Sequence, residues 1–218
     1  MAPTNAPDVF FGAYLRFSTE DKRAGAALAG PDNAVGDIGT IVWKLDDDKN
    51  PRAWIENPYG QLIGFLDKAD SHRLALYRAK EWTIRTVLSF TAYSEGSDQG
   101  EYWGQVAVFA YALRHADAFE TFVRAFARKA ADGLRPDPAL GQAGVGQVLE
   151  NPGAWVPGSK TKIPAAAGTA VLKDHRTLHD KMLDQSRRGN KGCLIGGWAF
   201  ILAVVAAIVW ALHSIGLF

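Results

Sequence analysis

The chain has 218 residues, a formal net charge of +1 and a single cysteine. That length accommodates one domain of ordinary size plus an appendage, the near-neutral balance removes a bulk electrostatic case for nucleic acid, and one thiol excludes an internal disulfide. The start, MAPTNAPDV, has no basic n-region and no apolar h-region, and so predicts no cleaved signal peptide.

From Val9 to Tyr111 the pattern is largely period two, the mark of half-buried strands. In VFFGAYLRF, the residues Val9, Phe11, Ala13, Leu15 and Phe17 fall on one face. DIGTIVWKL groups Ile41, Trp43 and Leu45, and RAWIE and QLIGFL are expected to pair through the turn Asn57-Pro58-Tyr59-Gly60. Asp67 is placed to cap a short helix over KADSHRLALYRA, with Leu74 and Tyr77 on its inner side. Two long strands follow, KEWTIRTVLSFTAY and EYWGQVAVFAYA, joined by a polar glycine-containing loop over 94–100. The next helix, ADAFETFVRAFARKAADG, carries the stripe Phe119, Phe122, Val123 and Phe126 and stops at Gly133.

The expected class is α+β, a small antiparallel β-barrel or sheet with packed helices over residues 8–133. Proline, glycine, alanine and serine dominate 134–168, which is expected to be a linker or irregular segment that Leu140, Val145, Val148, Leu149 and Trp155 would tether to the domain. Helical spacing returns through Leu172, His175, Leu178 or His179, and Met182 and predicts a juxtamembrane stalk helix over 169–188.

Beyond it, CLIGGWAFILAVVAAIVWAL carries no formal charge and is long enough for one hydrocarbon crossing, so 193–213 is expected to be a transmembrane anchor near the C-terminus. Arg187, Arg188 and Lys191 precede it and only His213 follows among titratable side chains, which places the N-terminal domain on the cytoplasmic side of a single-pass protein of the cell membrane. Gly192, Gly196, Ala199, Ala203, Ala207 and Ala211 recur every fourth residue or close to it, a small-residue face suited to helix association and a homo-oligomer. The lipid bilayer is thus the first expected partner, and a protein at the membrane the second.

Candidate chemistry is sparse. Gly153, Gly158, Lys160 and Thr161 resemble a phosphate loop in composition, but Ser159 separates the glycine from the lysine and no strand precedes them. His175 and His179 share a helical face without a third ligand, and the consecutive Asp46, Asp47 and Asp48 lack the alternation of a metal loop. His72 and His115 have no evident nucleophile or carboxylate partner in sequence. No catalytic set, metal site or cofactor is nominated, and an enzyme with an unrecognised site stays as an alternative. The concentrated basic stretch Lys68, His72, Arg73, Arg78, Lys80 and Arg85 is interleaved with Tyr77 and Trp82, which suits phosphate contact with base stacking and equally suits a solvated helix face.

Residues 45–66, LDDDKNPRAWIENPYGQLIGFL, resemble the centre of the HIRAN family: Asn50-Pro51, a strand from Ala53 to Glu56, Gly60, then Ile63-Gly64-Phe65-Leu66 and a helix from Lys68. The resemblance extends over residues 9–111. It implies a small β-barrel able to bind single-stranded DNA ends, with Tyr59, Phe65, Lys68 and Arg73 as contacts, to which the basic stretch adds Arg78. Arg52-Ala53 depart from the family's Asp-containing link, and the helicase or nuclease module that often accompanies such domains is absent from this sequence.

Overall fold

A computed structural model describes residues 8–46, 48–95, 100–164, 168–178, 180 and 182. The chain divides after Arg176 into two compact units. The first contains strands β1 (Phe10–Ser18), β2 (Ile38–Leu45), β3 (Pro51–Glu56), β4 (Leu62–Leu66), β5 (Thr83–Ser94), β6 (Glu101–Tyr111) and β7 (Thr169–Lys173). Its helices are α1 (Lys22–Ala29), α2 (Lys68–Ala79), α3 (Ala116–Ala131) and α4 (Gln142–Glu150).

The strands run in the order β2-β3-β4-β1-β6-β5, and a further β2–β5 pairing closes them into a six-stranded antiparallel barrel. The fold is α+β, a barrel with packed helices. Strand β5 has a shared edge. Near one end it pairs with β2 (Ile38 opposite Val87, Gly39 opposite Thr86), and beyond a bulge at Leu88/Phe90 it pairs with β7 from Thr91 to Ser94. A bulge bends its strand and re-aims the residues after it, which allows β5 to serve both neighbours.

Two apolar clusters lie on opposite faces of this sheet. Inside the barrel, Leu15, Phe17, Ile55, Leu66, Leu88, Val106 and Val108 pack together, with Phe11, Ala13 and Ile41 against them. Outside, Phe10, Val87, Phe109 and Tyr111 meet Phe119, Phe122, Val123 and Phe126 of α3, all fully buried or nearly so. Each buried side chain of this size is worth about 1.5–3 kcal/mol, so the α3 stripe is the largest single fastening on the outer face. Val9 belongs to this outer cluster and departs from the expected face, because the alternation along β1 begins at Phe10 and Val9 precedes the strand.

The β3–β4 turn forms as expected. The Asn57 side chain accepts from the backbone N–H of Tyr59 (3.0 Å) and Gln61 (2.9 Å), and Gly60 takes a φ of +78°, favoured by glycine. Asp67 caps α2 by accepting from the Asp70 N–H at 2.7 Å. Leu74 is fully buried and Tyr77 packs at the margin of the barrel cluster. Helix α1 is a new element, capped by Asp21 and held by the buried Leu28 and Gly25.

Two expectations for the later chain need correction. Residues 134–168 are not wholly irregular: they contain α4, whose Val145 and Val148 enter the outer cluster, and Leu140, Leu149 and Trp155 pack beside them. Residues 169–173 form strand β7 rather than the start of a stalk helix, because β5 beyond its bulge offers an unfilled edge that Thr169 to Lys173 completes. In the second unit, Thr177 and Asp180 bond reciprocally as a helix-start box. The rest of the expected stalk, the anchor at 193–213 and the small-residue face Gly192, Gly196, Ala199, Ala203, Ala207 and Ala211 lie outside the described residues. Among the described residues no helix is long and apolar enough to cross a membrane.

Candidate binding surface

The barrel interior is filled, and α1 and α2 each insert a buried leucine, Leu28 and Leu74, into its cluster. The recess among Asn33, Glu56, Asn57 and Thr86 offers about 10 Å³, no more than one water needs. The candidate binding features lie on the outer surface.

Two groups of aromatic rings with cations over them lie there. On the outward face of β3 and β4, Trp54 and Phe65 sit directly opposite each other with ring centroids 5.1 Å apart. The Lys44 ammonium lies 4.8 Å from the Trp54 ring and the Arg52 guanidinium 4.4 Å from Phe65. At the α2 end of the barrel, Tyr77 stacks against both Phe11 (4.9 Å) and Trp82 (5.1 Å). There Arg78 lies 5.4 Å from the Trp43 ring and Lys80 lies 5.6 Å from Trp82. Such contacts are worth about 0.5–1 kcal/mol each at exposed sites, enough to orient a side chain without spending its charge.

The basic residues divide into two kinds. Arg16 pairs with Glu101, Lys68 with Asp48 and Asp46, Arg73 with Asp70, and Arg85 with Glu120. The Asp48 carboxyl is held below its ordinary range by the hydrogen bond and charge of Lys68, and Lys68 is raised in return. Among the described residues, Lys44, Arg52, Arg78 and Lys80 pair with no carboxylate.

The expected contact residues are not brought to one place. Tyr59 sits on the β3–β4 turn, at the opposite end of β4 from Lys68, about 16 Å away along a five-residue strand. Lys68, Arg73 and Arg78 step by five along α2, so each is rotated by about 140° from the last and the three point to different sides. Phe65 is the expected residue that the structure sets into a half-buried ring group at the surface, and Arg78 is the expected cation with uncommitted charge. Lys44, Arg52 and Trp54 were missed. Strand alternation marks them as outward, but only the β2–β3–β4 register makes them neighbours.

Elsewhere, Arg135 is buried over Tyr14 (4.3 Å) and Phe90 (5.1 Å), donating to the Ser89 hydroxyl and to Gln105 Oε1 at 2.6 Å. Burial lowers its pKa and raises that of Tyr14. It fastens the segment after α3 to the barrel, with Thr161 returning to bond its carbonyl. His175 bonds Asp174 at 2.5 Å, while His179 lies outside the described residues. Lys160 pairs in a bridge with Pro136 and opens no helix. The acidic turn is organised by Asp46, which accepts from the Asn50 N–H at 2.8 Å. No cluster of metal-ligating side chains is present among the described residues. No protein-family model, curated protein or solved structure matches the chain.

Proposed function

We propose that this chain is a binding module tethered to the cell membrane, its barrel cytoplasmic and anchored through residues 193–213, which docks a protein partner on its half-buried aromatic rings and the cations over them. The observation that carries the reading is the combination of a filled barrel with rings left at the surface beneath unpaired cations. Tethering raises the local concentration of the module for partners at the same membrane. The small-residue face of the anchor adds self-association.

The test is photo-crosslinking of the full chain in its native membranes, with a photoreactive residue at Trp54, at Leu45 or at Tyr59. The expected result is carbonate-resistant membrane association with adducts from positions 54 or 45 and few from 59. Release of the chain by carbonate, or equal labelling at all three positions, would overturn the proposal.

Trp54 and Phe65, side by side with Lys44 and Arg52, also favour a second reading, a HIRAN-like module for single-stranded nucleic acid. That reading requires oligothymidylate binding by the full chain in detergent that weakens with salt and is abolished by Lys44→Glu with Arg52→Glu. Absence of binding at low salt removes it.

A further inference from the structure

Strands β2 and β5 pair only at Ile38–Val87 and Gly39–Thr86. Continued in register, Thr40 would face Arg85 and Ile41 would face Ile84, yet among the described residues the ladder stops and the two strands part. Residues 40–45 of β2 keep β3 on one side and have no strand on the other. A strand edge with unpaired N–H and C=O groups is a template for another extended chain.

At this opening the apolar side chains Ile41, Trp43, Ile84 and Tyr77 rest on the barrel cluster while staying partly exposed, and Leu45 is 68% exposed. Arg78, over Trp43, and Lys80, over Trp82, border them without carboxylate partners among the described residues, and Lys44 projects from the opposite face of β2, over Trp54. The floor is apolar and the rim is positive.

We propose that the free edge of β2 from Thr40 to Leu45 accepts a protein partner's acidic, apolar-alternating segment as an added antiparallel or parallel strand. This rests on the binding-module reading and names the partner's chemistry. Six residues of strand give an edge of about 20 Å. Alternate side chains of the incoming segment would cover Ile41 and Trp43 beside Arg78, and the others, on the opposite face, would carry carboxylates to Lys44.

A nucleic acid fits this place less well. Arg78 and Lys80 lie over the Trp43 and Trp82 rings, Tyr77 is already stacked against two neighbours, and the main-chain donors and acceptors of a β-edge match a peptide backbone rather than a phosphodiester.

The test uses the full chain in detergent micelles and a fluorescent heptapeptide alternating valine and glutamate, read by anisotropy. N-methylation of the peptide at one residue parity blocks bonds to β2, whereas the other parity faces away. Strand addition predicts that one parity weakens binding about tenfold or more and the other less than about threefold. Lys44→Glu should cost the glutamate peptide a similar factor and reverse preference toward a valine-lysine peptide. Lys44 is at the surface, and the N-methyl series decides the matter even if that variant misfolds. No binding of the glutamate peptide, equal binding of the lysine peptide, indifference to N-methylation, or displacement by oligothymidylate instead of by peptide would each overturn the proposal. Failure here with adducts still formed from Trp54 in membranes removes the added strand and leaves the binding module. Loss of both removes the module as well.

Discussion

Replacing Phe126 by alanine tests the packing of α3 on the barrel. Phe126 is fully buried, with ring centroids 4.9 Å from Phe109, 6.0 Å from Phe122 and 6.4 Å from Tyr14. Loss of its transfer free energy costs about 2 kcal/mol. A residual cavity of roughly 80 Å³ at about 24 cal/mol per Å³ costs a further ~2 kcal/mol. The expected destabilisation is about 4 kcal/mol, which at an m-value of about 2 kcal/mol/M lowers the urea midpoint by about 2 M. Arg124→Ala on the exposed side of the same helix should stay within about 0.5 kcal/mol. The assay is urea unfolding in detergent followed by tryptophan fluorescence. A loss below about 1 kcal/mol for Phe126→Ala, or one no larger than that of Arg124→Ala, would refute the assignment of α3 to the outer face of β5 and β6.

Gly12→Ala should destabilise by about 1–3 kcal/mol and speed hydrogen exchange over 134–140, since an added Cβ would lie 1.9 Å from the Pro138 carbonyl oxygen. Asp67→Ala should cost about 1 kcal/mol in the same unfolding assay by leaving the first turn of α2 without its cap, and Asp67→Asn should restore most of it. Burial raises the phenol pKa of Tyr14, Tyr77 and Tyr111, with Glu120 adding to the effect at Tyr111. The folded state therefore holds protons that the unfolded state releases near pH 10, and stability is full below that value and falls as pH rises above it. Absorbance at 295 nm should show these phenols ionising together with unfolding, and full ionisation of the native protein near pH 10 would contradict their burial.

What was legible in the chain follows from periodicity. The β3–β4 and β5–β6 hairpins, α2 and α3 each carry a local signal strong enough to stand alone: a two-residue alternation, an Asn-Pro-Tyr-Gly turn, an aspartate cap, a phenylalanine stripe. The elements that escaped owe their state to neighbours. Helix α4 contains Gly144 and Gly146, poor helix formers, and is held by Val145 and Val148 against α3. Strand β7 contributes Leu172 to a spacing with His175, Leu178 and Met182 that also fits a helix, and the vacant edge of β5 decides between the two. The candidate surface escaped for the same reason. Lys68 is neutralised by Asp48 from twenty residues earlier, while Lys44 and Arg52 become neighbours across a strand pair, and neither relation leaves a trace in a sequence window.

The return of the chain at β7 also defines how the first unit would bear load. At the end of the strand, Lys173 bonds the carbonyls of Gly30 and Asn33, and just beyond it Arg176 bonds the Val35 carbonyl and the largely buried Asp37 carboxylate, all in the loop between α1 and β2, while the Arg176 N–H donates to the Ala131 carbonyl of α3. A pull on the chain beyond Arg176 would strain these five contacts before it reached the β5–β7 ladder. Were they to give way, β7 would peel from its Lys173 end, one pair at a time, while the β2–β5 pairing that closes the barrel lies on the other side of the bulge. The β7 attachment can thus yield in steps, as a mechanical fuse, without opening the barrel.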